Sequence, residues 1–164
     1  MPTRRTVLFS IAALTLAPAA RAAGSAESFL EAIYRKLTSA GGTSGGQSMW
    51  VEPRDRVKWF SAALVKRWAE AENRAKSRGE EVGPVDFDPF TNSQDPQLKS
   101  FTLERLDALP PVTKVRVRLK GPGYEGEGGE LVFDLVDEKG WKIDDIQGST
   151  GGDRWSLKDI LAMP

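Results

Sequence analysis

Between Lys114 and Lys120 the chain alternates without a break, Lys114-Val115-Arg116-Val117-Arg118-Leu119-Lys120. Successive side chains of a strand point to opposite faces, so Val115, Val117 and Leu119 share one side and the four cations share the other. Such a strip demands an apolar layer on one face and leaves the other open. The same period recurs in Leu131, Phe133 and Leu135, and Trp141, Ile143 and Ile146 mark a further strand after the turn at Glu138-Lys139-Gly140. A preceding strand is expected over Lys99 to Leu106. The connections are too short for crossovers, so the pattern predicts an antiparallel meander of about four strands.

The covering layer precedes the strands. Phe29, Leu30, Ile33, Tyr34 and Leu37 recur on one helical face, with Ser25 or Ser28 as the cap and Ser28 to Glu31 spaced as a capping box. A longer helix is expected from Pro53 to about Arg78, burying Val57, Phe60, Leu64, Trp68, Ala71 and Ala75. The intervening glycines, Gly41, Gly42, Gly45 and Gly46, lack the Gly-Lys-Ser/Thr of a phosphate loop and read as a flexible connector. Trp155 to Ala162 is expected to close the chain as a short helix, and the turn from Gly148 to Gly152 reads as a plain loop. Helices followed by an antiparallel sheet give an α+β domain with the helices on one sheet face.

The chain has no Cys and no His, which removes disulfides, thiol nucleophiles, imidazole bases and ordinary zinc sites. Any catalysis rests on carboxylates, hydroxyls, Lys, Arg or backbone, and no metal or other cofactor is expected. Thr3-Arg4-Arg5 precedes the apolar run Val7 to Ala17 and the small-residue site Ala20-Arg21-Ala22. This stretch resembles a twin-arginine export signal; an ordinary secretory signal is the alternative. Cleavage after Ala22 removes Arg4, Arg5 and Arg21 from the 23 basic residues, leaving 20 against 23 acidic groups. That balance argues against a nucleic-acid partner. No later segment is long enough in apolar residues to span a bilayer, so the mature domain, 23–164, is expected to be periplasmic or secreted with no stable membrane anchor.

The order of elements, together with Asp88-Pro89-Phe90-Thr91-Asn92-Ser93-Gln94-Asp95, Gly140-Trp141-Lys142-Ile143-Asp144-Asp145-Ile146 and Trp155-Ser156-Leu157, resembles a family of uncharacterised exported bacterial domains. That family is similar in fold to nuclear transport factor two (cystatin-like), whose curved sheet and helices form an open cone. The resemblance runs from about Ser28 to Leu161 and implies an architecture without an established reaction.

Chemistry concentrates between the long helix and the sheet, where Asp86, Asp88, Gln94 and Asp95 are candidates for a pocket rim. The stretch does not fit a calcium loop, because Phe90 and Thr91 interrupt the ligand pattern and Gln97 stands where a terminal glutamate belongs. Turn building through local side-chain bonds is the structural alternative, with Phe87 and Phe90 as anchors. Tyr34 with Asp86, Asp88 or Asp95 also composes a carboxylate-and-phenol site, by analogy with cone-fold isomerases that pair an aspartate base with an oxyanion hole. On the sheet, Arg116 and Arg118 are candidates for a partner surface, against the alternative that Asp134, Lys142 and Asp144 complete a balanced, solvated face. The segment Gly121 to Glu130 reads as a mobile acidic hairpin loop with Tyr124 at the surface.

Two functions are therefore expected to compete. The first is a noncatalytic binding or interaction domain of the bacterial cell envelope, monomeric or homodimeric, holding a small molecule or an envelope protein. The second is a small-molecule isomerase or hydrolase working through pocket carboxylates and Tyr34.

Overall fold

Ser25 opens the first helix, α1 (Ala26–Ser39): its backbone is extended and its Oγ accepts the Ser28 N–H at 3.1 Å. Ser25 is thus the cap and Ser28 lies inside the helix. The structure is a computed structural model that describes residues 24–43, 45–106 and 109–164, and the export signal of residues 1–22 with its cleavage site lies outside the described residues. Ala26, Leu30, Ile33, Tyr34 and Leu37 are buried along one face of α1, as their spacing predicts.

The glycines that follow are not a loose connector. Gly42 is buried at φ +75° with its carbonyl accepting the Leu98 N–H at 3.1 Å, and a Cβ built on it would stand 1.7 Å from the Leu98 carbonyl oxygen. Only glycine allows that backbone approach. A short helix, α2 (Gln47–Trp50), leads into α3 (Pro53–Trp59).

The single helix expected from Pro53 to Arg78 is two, because α3 stops and α4 (Ala62–Ser77) restarts after Phe60 and Ser61. The sheet makes this break. Phe60 is extended and forms a parallel bridge with Ile143, and the Ser61 N–H donates to the Ile143 carbonyl at 2.8 Å. Ser61 Oγ donates to Asp144 Oδ1 at 2.6 Å and accepts the Leu64 N–H at 3.0 Å, which caps α4. The new start resets the helical phase, so Val57 is exposed while Arg56 is buried. Arg56 donates to the carbonyls of Trp50 and Val51, pairs with Glu72, and lies 4.5 Å over the Trp68 ring.

Five strands follow: β1 (Ser100–Leu106), β2 (Thr113–Lys120), β3 (Glu130–Asp137), β4 (Trp141–Thr150) and β5 (Asp153–Ser156). They form one open antiparallel sheet in chain order, so the strand count is five rather than about four. The additional strand is β5, whose four residues are too few to display a period. Gly151 and Gly152, at φ +62° and +93°, turn the chain back so that Gly148 pairs with Trp155. The closing helix shrinks accordingly to α5 (Leu157–Ile160), capped by Ser156.

Val115, Val117 and Leu119 are buried under the helices beside Leu131, Phe133 and Leu135. Aromatic rings fill the space between the layers: Phe60 meets Trp68 and Phe90 at 5.5 and 5.9 Å, and Phe133 meets Phe90 and Tyr34 at 6.1 Å each. Burying Phe60 or Leu64 contributes about 1.5–3 kcal/mol each. A register shift between Asp134 and Leu135 leaves Asp144 of β4 without a partner on β3, a bulge that bends the strand.

Candidate functional site

The acidic bend divides its residues between inside and outside. Asp88 is 2% exposed, whereas Asp86, Gln94 and Asp95 are exposed. One Asp88 oxygen accepts the Trp50 Nε1–H at 3.2 Å and the Phe90 N–H at 3.0 Å; the other accepts the Thr91 hydroxyl at 2.9 Å and the Gly46 N–H. Two donors on each oxygen use the whole acceptor capacity of a carboxylate. Burial pushes the Asp88 carboxyl above its ordinary value, against the lowering effect of these four hydrogen bonds. The Gly45-Gly46 backbone is consequently strapped to Asp88. A Cβ on Gly46 would stand 2.5 Å from the Phe90 ring.

Tyr34 lies in the same interior, fully buried, and its hydroxyl donates to the Phe90 carbonyl at 2.7 Å. Burial, reinforced by the Asp88 and Tyr124 groups, holds the phenol well above its usual range. The structure thus brings Tyr34 and Asp88 together as neighbours, but the phenol is spent on a backbone carbonyl. Tyr124 is buried too, rather than at the surface, and its segment contains a 3₁₀ turn at Gly126–Gly129.

Of the exposed members, Gln94 Nε2 donates to the Asp86 carbonyl at 3.3 Å, and Ser93 Oγ accepts the Asp95 N–H at 3.1 Å. Asp86 lines a surface groove of about 610 Å³ beside the end of α4 and the C-terminal residues. Asn92 is the residue of the bend that the sequence reading passed over. At φ 52°, its Nδ2 donates to the carbonyls of Gly128 and Ser149, and its Oδ1 accepts the Thr150 hydroxyl and the Trp155 Nε1–H. Asparagine tolerates that left-handed backbone, which is the one signal in the sequence that pointed to it.

The opposite face of the sheet carries the charges. Arg116 reaches Glu104 at 3.1 Å and Glu130 at 2.9 Å; Arg118 reaches the same two carboxylates at 2.8 and 3.2 Å. Lys114 pairs with Asp134. The outward row is balanced by acids, though chiefly by Glu104 and Glu130. Of the residues expected to balance it, Lys142 instead donates to the carbonyls of Val57 and Lys58, and Asp144 turns to Ser61 and Lys158. Burial lifts the Asp144 carboxyl, but the hydrogen bonds from Lys158 and Ser61 and the Lys158 charge outweigh it and leave it below the ordinary range.

A second groove, of about 600 Å³, opens on this outer face. Val132 and Gln147, paired across β3 and β4, form its floor; Arg116 of β2 stands on one side and Arg154 of β5 on the other, and Glu127 of the 3₁₀ turn lies 3.4 Å from the hydroxyl of Ser149, the residue of β4 paired with Arg154. Arg154 is exposed and has no carboxylate partner among the described residues, in contrast to Arg116 and Arg118. No group of three or more acidic side chains among the described residues is arranged to hold a metal ion, and no described helix is long and apolar enough to cross a membrane.

No family model, curated protein or solved structure matches this chain. The site is therefore defined by its own geometry, with a saturated carboxylate inside the fold and an open, charged groove outside it.

Proposed function

We propose that the chain is an exported, noncatalytic binding domain of the bacterial cell envelope, of nuclear transport factor two-like architecture, that takes its partner in the groove on the outer sheet face. The contrast between the two sides of the sheet carries this reading. Inside, rings fill the space and Asp88 has no acceptor site left. Outside, an apolar and amide floor lies beside an arginine with no carboxylate partner among the described residues. A concave surface with a few unpaired polar groups is the usual form of a binding site. The partner surface centred on Arg116 and Arg118 moves to Arg154, because both of those arginines are closed on Glu104 and Glu130.

Capture from envelope extract tests the reading. The purified chain is compared with Arg154→Glu and with Lys66→Glu, a charge reversal on the exposed side of α4. Loss of a recovered partner with Arg154→Glu alone is the expected result; equal recovery by all three chains contradicts it. Export is tested separately by sequencing the mature terminus from a host lacking the folded-protein translocon, where normal processing would reject that route.

The isomerase or hydrolase reading has in its favour the shared interior position of Tyr34 and Asp88. A base at Asp88 would have to break one of four native hydrogen bonds before accepting a proton, and Tyr34 would have to leave the Phe90 carbonyl. The binding reading needs neither rearrangement.

A further inference from the structure

We infer that two copies of this chain associate edge to edge through β1, in antiparallel register about Leu103, so that their two sheets become one; this goes beyond the groove reading and does not depend on it. β1 is the first strand of the sheet and has a neighbour on one side only. Its seven residues pair with β2 without a register shift and include no Pro, Gly or Lys. In an antiparallel ladder alternate residues aim their N–H and C=O groups to opposite sides, so half of these backbone groups point away from β2. No described residue outside the sheet hydrogen-bonds to the backbone of Ser100–Leu106. Its two charged side chains are already paired within the chain, Glu104 with Arg116 and Arg118, and Arg105 with Glu27. The opposite edge of the sheet is blunted: β5 has four residues, follows the Gly151-Gly152 turn and runs directly into α5. A longer, regular edge without proline, lysine or bulge is a template for another strand.

The side chains of β1 select a second β1 as the occupant. Phe101, Leu103 and Arg105 lie opposite Leu119, Val117 and Val115 and share their inner face, where Phe101 meets Tyr34 of α1 at 5.3 Å; Thr102 and Glu104 face outwards. Two copies keep a common inner face only when the symmetry axis passes through a residue, because a slip of one position would turn every side chain over. Centring on Leu103 pairs the whole strand. Leu103 then meets its own copy, Phe101 meets Arg105 on the inner face, and Thr102 meets Glu104 on the outer face, which are apolar, cation-on-ring and uncharged-to-charged matches. Either neighbouring centre leaves two residues of β1 unpaired, and the centre at Glu104 also sets two carboxylates face to face, a destabilising pair. Phe101 and Leu103 are only half-buried in one copy, and the second copy covers their open side. The seam supplies about six to eight backbone hydrogen bonds. It buries less than the about 1,200 Å² of a standard stable interface, so association is expected in the micromolar range.

The absence of cysteine makes the register directly readable. Full chains carrying Thr102→Cys or Glu104→Cys, told apart by isotope labelling of one of them, are mixed and oxidised. Residues directly opposed across the seam have Cα atoms about 4.5–5.5 Å apart, within disulfide reach, whereas residues offset by two positions stand about 7–8 Å apart and are beyond it. The mixed disulfide is therefore expected to form faster than either self-pair. Sedimentation equilibrium of the unsubstituted chain across the micromolar range should show a monomer and dimer in exchange. Thr102 is exposed, so charging it leaves the core intact. Thr102→Glu should weaken the dimer and Thr102→Lys strengthen it, each by about two- to tenfold, since the new charge meets Glu104 twice across the two-fold axis. A monomer at every concentration, the same association by both variants, or self-disulfides that outpace the mixed one would overturn the inference. The Arg154→Glu capture experiment judges the groove separately.

Discussion

Replacing Asp88 separates a structural carboxylate from a chemical one. Asp88→Ala leaves the Gly46 and Phe90 N–H groups without an acceptor in the interior, along with the Trp50 indole N–H and the Thr91 hydroxyl. The last two sit on side chains that can turn towards other partners, but the two backbone groups are fixed. Each buried donor left unpaired costs about 1–3 kcal/mol, partly offset by relief of the carboxylate's own desolvation, so a loss of about 3–5 kcal/mol is expected. Asp88→Asn preserves the shape. With its oxygen facing Trp50 and Phe90, the amide nitrogen confronts the Gly46 N–H while Thr91 rotates to accept, and the cost falls to about 1–3 kcal/mol. The assay is urea unfolding at pH 7. With a slope of about 2 kcal/mol per molar for a domain of this size, the alanine variant's midpoint should fall by about 1.5–2.5 M. Either variant equalling or exceeding the parent in stability would refute the structural role, because a carboxylate kept for chemistry tends to reduce stability.

Gly42→Ala should lose at least about 2 kcal/mol in the same assay, since the new Cβ meets the Leu98 carbonyl at 1.7 Å on a backbone with φ +75°; an unchanged midpoint would contradict the close approach. For Asp144, whose folded value lies below its ordinary one, the stabilisation is present above the unfolded value of about 3.8 and is lost as pH falls through the depressed folded value. The stability gap between the parent and Asp144→Asn should therefore be constant near neutral pH and close below about pH 4. A gap that widened on acidification would reverse the assigned sign.

The sheet was legible where the chain itself enforced period two. Val115, Val117 and Leu119 are inward because no other arrangement of that run hides them together, and the α1 stripe is legible for the corresponding helical reason. The break at Phe60 was not, because it is imposed by the Ile143 carbonyl more than eighty residues away and the helical period continues across it. β5 escaped notice because four residues carry no period; once it is placed beside β4, Arg154 falls on the outer face opposite Ser149. The buried glycines depend on Asp88 and Leu98, neither of which is local, so composition alone read them as a connector. At the bend the residue types were recognisable, but which of Asp86, Asp88 and Asp95 turned inwards was set by the Gly46, Phe90 and Thr91 donors rather than by spacing.

The claim that the outer groove, and not the interior, does the binding is tested most directly by placing Arg154→Glu beside Tyr34→Phe in one capture experiment. Tyr34→Phe removes a single buried hydrogen bond, worth about 1 kcal/mol, and leaves the ring packing in place. The account predicts that Arg154→Glu loses its partner while Tyr34→Phe keeps it. Retention by Arg154→Glu together with loss by Tyr34→Phe would contradict it.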